Sequence, residues 1–253
     1  KLMNMQKENS HTDKTKTKQM LEKQAKIVSS EVTNLFPTYI GKYKLEFSQR
    51  EVLFNLTNKF RKKYNSRSQS SGEIEKSGDF YTIGGFQMNL FENLGVHNFT
   101  DLRVEHGITQ EEEDALKTLA KTFRIISNDF AENYSGDFFD SKGKVYYKNW
   151  FVMYDKNSFQ EIHSHSGGNL WTQVYFLKLP KDLKYIGSKP HRKEGSLVIT
   201  NNSPNHNGSQ VKYITPEEDM VVMFQGKFPH YTLPMISEGY RCVIVNDFYT
   251  KDE

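Results

Sequence analysis

The period of the hydrophobic positions changes near Gly143, from mainly helical spacing to that of short strands. Before that point, apolar residues recur at helical spacing in two segments, from Leu53 to Tyr64 and from Leu116 to Phe130. After it, short apolar stretches are separated by turns rich in Gly, Asn, Ser and Pro. The pattern predicts two helices in the first part of the chain and a series of short strands in the second.

Both predicted helices begin with a capping box, which is Ser48 with Glu51 in the first and Thr109 with Glu112 in the second. Acidic residues crowd the first turn of the second helix, where the helix dipole favours them. Its single apolar face indicates that this helix packs against the outside of a sheet. An alternating segment at 39–47, before the first helix, predicts a strand.

Six further strands are expected, with no helices between them. They lie near 146–154, 172–177, 196–200, 210–214, 220–224 and 240–249. Short strands divided only by turns favour a β-sandwich or jelly roll over a parallel sheet.

The composition narrows the class of protein. The net charge of +3 over 253 residues comes from interspersed signs, so a nucleic-acid partner is not expected. One cysteine, Cys242, excludes an internal disulfide framework and suits a reducing compartment. No apolar run approaches the roughly 20 residues that span a bilayer. We therefore expect a soluble intracellular protein that does not associate with a membrane.

Histidines carry the candidate chemistry. His163 and His165 are separated by one residue on an extended segment, so their rings point the same way, and His230 follows on a separate strand. Three such imidazoles could occupy one face of a metal ion, as in a mononuclear iron oxygenase. The usual set for such sites is two histidines and one carboxylate. Glu161, two positions before His163, is therefore a reserve candidate for the third ligand.

Arg241 is the second candidate feature, because it begins an apolar strand that continues through 242–245. A guanidinium in such a position needs an acidic partner and is suited to bind a carboxylate with two hydrogen bonds. The partner could be an acidic co-substrate beside the metal or an acidic side chain in an internal salt bridge.

Several segments of the chain resemble the prolyl-4-hydroxylase-like branch of the iron(II)/2-oxoglutarate dioxygenases. More closely, they are similar to a group of uncharacterised bacterial and phage 2-oxoglutarate-Fe(II) oxygenases. The resemblance spans roughly residues 35 to 249 and rests on four groups of segments: 35–38, 84–87, 160–167 with 173–177, and 216–224 with 228–230, Pro234 and 241–246.

The resemblance implies a mainly β fold with flanking helices (α+β), built on a double-stranded β-helix of the jelly-roll or cupin type. Residues 1–29 would form a polar arm or surface helix, 30–144 an α/β support region, and 145–253 the β-helix core with the metal site. A bacterial or phage relative further implies the cytoplasm of a bacterium or of an infected host cell.

The resemblance also assigns roles. His163 and His230 would bind Fe(II), and His165 stands where the wider superfamily has Asp or Glu. Arg241 would bind the distal carboxylate of 2-oxoglutarate, with Tyr154 lining the site and Tyr175 hydrogen-bonding the same carboxylate. The implied reaction hydroxylates a protein side chain or small molecule with dioxygen and releases succinate and CO2. No catalytic residue beyond the metal ligands is expected.

Two alternatives remain open at this point. Three histidines on a cupin-type barrel could support a metal dioxygenase that uses no 2-oxoglutarate. The jelly roll could also be a non-catalytic binding or virion-associated module.

Overall fold

In a computed structural model, the described part of this chain contains two antiparallel sheets and two long helices. The structure describes residues 25–35, 38–64, 82–92, 103–104, 106–134, 145–165, 171–201 and 210–250. The helices are α1 (Arg50–Tyr64) and α2 (Gln110–Tyr134). The strands are β1 (Lys26–Leu35), β2 (Thr38–Glu46), β3 (Thr82–Ile83), β4 (Phe86–Glu92), β5 (Val145–Tyr154), β6 (Phe159–His163), β7 (Trp171–Lys178), β8 (Leu197–Asn201), β9 (Gln210–Ile214), β10 (Met220–Gln225), β11 (His230–Thr232) and β12 (Arg241–Thr250).

The last eight strands form a double-stranded β-helix. The larger sheet has the order β1-β2-β10-β7-β12-β5-β4, and the smaller has the order β3-β6-β11-β8-β9. From β5 to β12 the chain passes back and forth between the two sheets. All of the strand pairs are antiparallel, and the predicted fold class is confirmed.

The N-terminal part of the chain extends the larger sheet. Strand β2 pairs with β10, and β4 pairs with β5, so both regions contribute to one sheet. Strand β1 begins at Lys26, within the segment predicted as a polar arm. The rest of that predicted arm, residues 1–24, and the predicted loop 65–78 lie outside the described residues.

The inner strands of the larger sheet are buried on both faces, which explains the nearly continuous apolar run of β7. Val174 and Phe176 pack between the two sheets, whereas Tyr175 and Leu177 pack under the helices. Because successive side chains of a strand point to opposite faces, this alternation decides which residues can reach a site between the sheets.

Helix α2 covers the larger sheet, as its apolar face predicts. Its capping box forms, because the Thr109 amide donates to Glu112 Oε2 (2.7 Å) and the Glu112 amide donates to Thr109 Oγ1 (3.2 Å). Neither helix among the described residues is long and apolar enough to cross a membrane.

Candidate metal centre

The three candidate histidines converge between the sheets. His163 ends β6, His165 follows two residues later, and His230 begins β11 as the register partner of His163. The ring centroids lie 4.3 Å apart for His163 and His230, 5.2 Å for His163 and His165, and 4.9 Å for His165 and His230. One nitrogen from each ring lies within 4.8 Å of the others, so the structure brings all three predicted ligands together.

Backbone carbonyls orient two of these rings. His163 donates from Nδ1 to the carbonyl oxygen of Glu161 (2.9 Å), and His230 donates from Nδ1 to that of Phe228 (2.8 Å). Because a carbonyl oxygen only accepts, Nδ1 carries the proton and the Nε2 lone pair is left for a metal. Burial lowers the pKa of His163 to about 4 and lowers the pKa of His230 well below its ordinary value, so both rings are neutral near pH 7.

His165 is oriented differently, by a carboxylate. Its Nδ1 lies 2.8 Å from Oδ2 and 3.0 Å from Oδ1 of Asp247, on strand β12. Thr172 donates from Oγ1 to the same carboxylate (2.6 Å) and also lies 3.0 Å from His165 Nδ1. The edge of Trp150 packs against the ring at a centroid distance of 5.7 Å. His165 therefore also has Nδ1 engaged and Nε2 directed toward the other rings.

The spacing of the donor atoms fits a transition-metal ion. Nε2 of His165 and Nε2 of His163 are 3.3 Å apart. Imidazole nitrogens bind such metals at about 2.0–2.1 Å, so two ligands at right angles lie about 3 Å from each other. Two lone pairs at this distance repel unless a proton or a cation lies between them. The three histidines thus offer a facial set of neutral nitrogen ligands, which suits Fe, Zn, Cu or Ni.

The reserve candidate Glu161 lies outside this set. The register of β6 against β11 passes from His163↔His230 to Gln160↔Thr232, so β6 contains one extra residue between the two pairs. This β-bulge directs Gln160 and His163 to the cavity and leaves the Glu161 side chain exposed. The expectation that Glu161 and His163 share a strand face assumes a regular strand, and the bulge breaks that regularity.

Arg241 lies at the same cavity as the histidines. Its side chain is 2 % exposed, and Nε donates to the carbonyl oxygen of Gly195 (2.9 Å). The guanidinium carbon lies 5.1 Å from the ring centroids of both Tyr154 and Phe176. Burial lowers the pKa of Arg241 to about 10, and no acidic side chain among the described residues pairs with it. A buried cation in this state is costly and calls for an anionic partner.

The cavity itself is small and mostly apolar. It encloses about 340 Å³ of unfilled space when the part open to solvent is included, and the centre of a water molecule can reach about 20 Å³ of it. The walls are formed by Trp150, Val152, Gln160, His163, His165, Thr172, Val174, Leu197, His230, Thr232, Arg241, Val243 and Val245. No carboxylate is among these lining residues.

Tyr154 borders the Arg241 end of this cavity. The ring is fully buried, and burial raises the pKa of its hydroxyl, which hydrogen-bonds with Thr82 and Thr232. A β-carbon on Gly85 would lie 2.7 Å from the Tyr154 ring, so the position requires glycine. The segment 84–87, one of those that carry the sequence resemblance, therefore provides the surface on which Tyr154 rests.

The prediction for Tyr175 is wrong. This residue packs with the cluster under the helices, on the opposite face of the larger sheet from the histidines. Its hydroxyl donates to Asp219 Oδ1 (2.8 Å), and its ring meets Phe47 edge-on. Tyr175 alternates with Val174, which lines the cavity, so strand parity places its hydroxyl out of reach of a ligand there.

Two residues at the site were not anticipated from the sequence. Asp247 is a buried acid that closely follows the apolar run 242–245 of β12, and a charge at this position is a signal that could have indicated a buried partner. Gly195 gave no such signal, because only the structure shows that its carbonyl oxygen contacts Arg241.

Comparison with known proteins agrees with the chemistry of this donor set. Residues 148–247 match the model of the family described as "Putative 2OG-Fe(II) oxygenase". This confirms the family predicted from the sequence over that segment, which includes all three histidines, Arg241 and Asp247. Over this segment the chain is therefore similar to an oxidoreductase family whose members depend on Fe(II) and 2-oxoglutarate. No curated protein matches the chain.

Solved structures resemble the chain at low identity. A prolyl-4-hydroxylase from Pseudomonas putida has 12 % identity and a TM-score of 0.43, with 88 % of this chain and 92 % of that chain covered. A prolyl hydroxylase from Trichoplax adhaerens, in complex with a peptide fragment of hypoxia inducible factor, has 15 % identity and a TM-score of 0.46, with 98 % and 93 % covered. At these values the resemblance says nothing about the activity or substrate of this chain.

Proposed function

We propose that this chain, whose residues 148–247 match the 2OG-Fe(II) oxygenase family, is an Fe(II)- and 2-oxoglutarate-dependent dioxygenase. It would hydroxylate a protein side chain or a small molecule, consume dioxygen, and release succinate and CO2. The observation that supports this most strongly is the presence, on one cavity, of three converging imidazoles and a buried arginine without an acidic partner among the described residues.

His163, His165 and His230 would hold the iron, which supplies the activation of dioxygen when it is bound. Three protein ligands on one face leave the opposite face for a bidentate co-substrate and for oxygen. All three ligands are imidazoles rather than two imidazoles and a carboxylate. The co-substrate must therefore bring the anionic oxygens, as a 2-oxoacid does.

Arg241 would bind the distal carboxylate of 2-oxoglutarate. Its position between the rings of Tyr154 and Phe176 limits the directions in which the guanidinium can point. In an environment of low polarity, a charge-assisted pair with a carboxylate is stronger than in water. The arginine would select a dicarboxylate over a monocarboxylic 2-oxoacid and would hold it in register with the ligand face.

The apolar walls of the cavity would keep water away from the reacting atoms. Val152, Val174, Val243 and Leu197 line the space between the ligands and Arg241, and they offer no hydrogen-bonding groups. The protein's remaining task is positioning, because the reaction needs no side chain as a general base.

The three-histidine set also suits a second candidate function, a metal dioxygenase that binds its organic substrate directly. Arg241 distinguishes the candidate function that uses 2-oxoglutarate from the one that does not. A dioxygenase without 2-oxoglutarate would need this buried cation only if its own substrate were an acid, whereas a 2-oxoglutarate enzyme needs it in every turnover for the distal carboxylate of the co-substrate. The arginine therefore favours the first function.

Succinate formation tests the proposal. Protein reconstituted anaerobically with Fe(II) would be mixed with 2-oxoglutarate and air, and succinate would be quantified by mass spectrometry. We expect at least stoichiometric succinate over hours without added substrate, and none from His230→Ala. Wild-type protein that binds iron but forms no more succinate than His230→Ala would contradict the proposal.

A further inference from the structure

Asp247 stands out among the buried acids of the chain, because both of its oxygens face a single candidate ligand. Oδ2 lies 2.8 Å and Oδ1 lies 3.0 Å from Nδ1 of His165. Thr172, its register partner on β7, donates to Oδ1 at 2.6 Å and so fixes the direction of the carboxylate. Only 7 % of the residue is exposed, so water does little to weaken the interaction.

The backbone orients the other two histidines. The Nδ1 groups of His163 and His230 donate to backbone carbonyl oxygens, which are neutral. A carboxylate behind an imidazole fixes its orientation and makes its other nitrogen a better donor to a metal. His165 is thus the candidate ligand that has a carboxylate behind its ring, and it occupies the position where a carboxylate ligand was expected.

The charges at the cavity favour such a partner in addition to an anionic co-substrate. Three neutral imidazoles, a divalent ion and the Arg241 guanidinium would leave the site strongly positive. No carboxylate is among the residues that line the cavity, and Asp247 is the acid that lies directly behind a ligand. A carboxylate that contacts a ligand, and not the metal itself, offsets part of this positive charge without occupying a coordination position.

We propose that Asp247 is a positioning residue that acts through His165, orienting the imidazole and supplying the negative charge that the ligand set lacks. The inference rests on the proposed function, since it concerns the same metal site. In this proposal, His165 and Asp247 together replace a single carboxylate ligand. The imidazole binds the metal, and the negative charge lies behind it on strand β12.

Metal affinity of Asp247 variants tests this inference. Metal-free protein would be titrated anaerobically with Fe(II) and, separately, with Co(II), whose visible absorption reports the ligand environment. We expect Asp247→Ala to weaken binding by about 10- to 100-fold, with Asp247→Asn in between because its amide oxygen can still accept from Nδ1. The Co(II) spectrum should also shift in both variants.

Asp219→Asn is the matched control. Asp219 also accepts hydrogen bonds from buried or half-buried partners, Tyr175 and Arg50, but on the far side of the larger sheet. Its substitution should lower the melting temperature without changing metal affinity or the Co(II) spectrum. If the Asp247 variants bind metal more weakly only because they are less stable, Asp219→Asn should also bind metal more weakly.

A double-mutant cycle removes the remaining ambiguity. In a His165→Asp background the ligand itself carries the charge, so Asp247→Asn should no longer weaken metal binding and should relieve repulsion between two acids. Equal metal affinity of wild type and both Asp247 variants would overturn the inference while leaving the proposed function intact. An equal loss in the His165→Asp background would also overturn it. Failure of the wild type to bind either metal would overturn the proposed function together with the inference.

Discussion

Arg241 donates from Nε to the carbonyl oxygen of Gly195 at 2.9 Å, although the two residues lie 46 positions apart in the sequence. Gly195 adopts a left-handed backbone conformation with φ of +66°. A β-carbon there would lie 2.8 Å from Arg241 Cδ. The backbone of residue 195 therefore forms one wall of the space in which the arginine side chain is held, and it leaves the far end of the guanidinium for a ligand.

Replacing Arg241 should separate stability from ligand binding. Arg241→Met removes a buried charge without an acidic partner among the described residues, so the melting temperature of the ligand-free protein should be unchanged or higher. Binding of 2-oxoglutarate should weaken by roughly 30- to 1,000-fold, because a carboxylate loses a charged partner worth about 2–4 kcal/mol. Scanning calorimetry measures the melting temperature, and titration calorimetry with the metal-loaded protein measures the affinity for 2-oxoglutarate. Unchanged 2-oxoglutarate affinity would show that the arginine does not bind it.

Gly195→Ala should disturb Arg241 through steric contact. The added methyl group would meet Arg241 Cδ at 2.8 Å and Met235 Sδ at 2.9 Å, in addition to the strain of a left-handed backbone. Gly187→Ala is a matched control, since φ is +67° there and, beyond its chain neighbours, no described atom lies within 4 Å of where a β-carbon would stand. Both variants should lose about 1 kcal/mol of stability from the backbone. Only Gly195→Ala should weaken 2-oxoglutarate binding, and an equal effect in both variants would refute this role for Gly195.

The metal-free protein should lose stability as the pH falls from about 6.5 to about 4. The pKa of His163 drops from 6.5 to about 4 on folding, because burial disfavours the charged ring. The unfolded chain therefore binds more protons than the folded one in this window. Linkage then lowers the free energy of unfolding by up to about 1.4 kcal/mol per pH unit for such a histidine. Denaturant unfolding in the presence of a chelator, at several pH values, measures the slope.

Two substitutions test the origin of that slope. His163→Asn should reduce the loss of stability between pH 6.5 and pH 4, whereas His191→Asn, at an exposed position, should retain the wild-type slope. Identical slopes in all three proteins would mean that burial of His163 is not responsible.

Tyr175→Phe tests the position of Tyr175, which the sequence analysis assigned to the site incorrectly. Loss of the 2.8 Å hydrogen bond to Asp219 should cost about 1 kcal/mol of stability. The affinity for 2-oxoglutarate should not change, because the hydroxyl lies on the other face of the sheet. A tenfold loss of affinity in Tyr175→Phe, at unchanged metal content, would argue against the strand orientation described above.

Much of the site can be predicted from the sequence, because its residues are identified by their side-chain chemistry and their spacing. His163, His165 and His230 are recognisable from ligand chemistry and spacing, and Arg241 is recognisable as a cation at the start of an apolar strand. Six of the eight strands from 145 onward are bounded by turn residues and were placed within one position of their observed ends, whereas the short strands β6 and β11 were not among the predicted six. These features are local, and a single sequence contains them.

Other features depend on geometry that a single sequence does not contain. The bulge in β6 changes which residues face the cavity, and it leaves Glu161 exposed although its spacing from His163 predicted otherwise. Tyr175 could not be assigned to a face because β7 is apolar on both sides. The contact between Asp247 and His165 joins residues 82 positions apart, and only the packing of β12 beside β7 reveals it.

The central claim is that His163, His165 and His230 hold an iron ion to which 2-oxoglutarate binds, with Arg241 at its far end. The most direct measurement is an anaerobic titration of the Fe(II)-loaded protein with 2-oxoglutarate, followed by visible absorption. The account predicts a weak charge-transfer band that saturates at one equivalent, requires a much higher concentration in Arg241→Met, and is missing in His230→Ala. Iron-loaded wild-type protein that shows no band at saturating 2-oxoglutarate would contradict it.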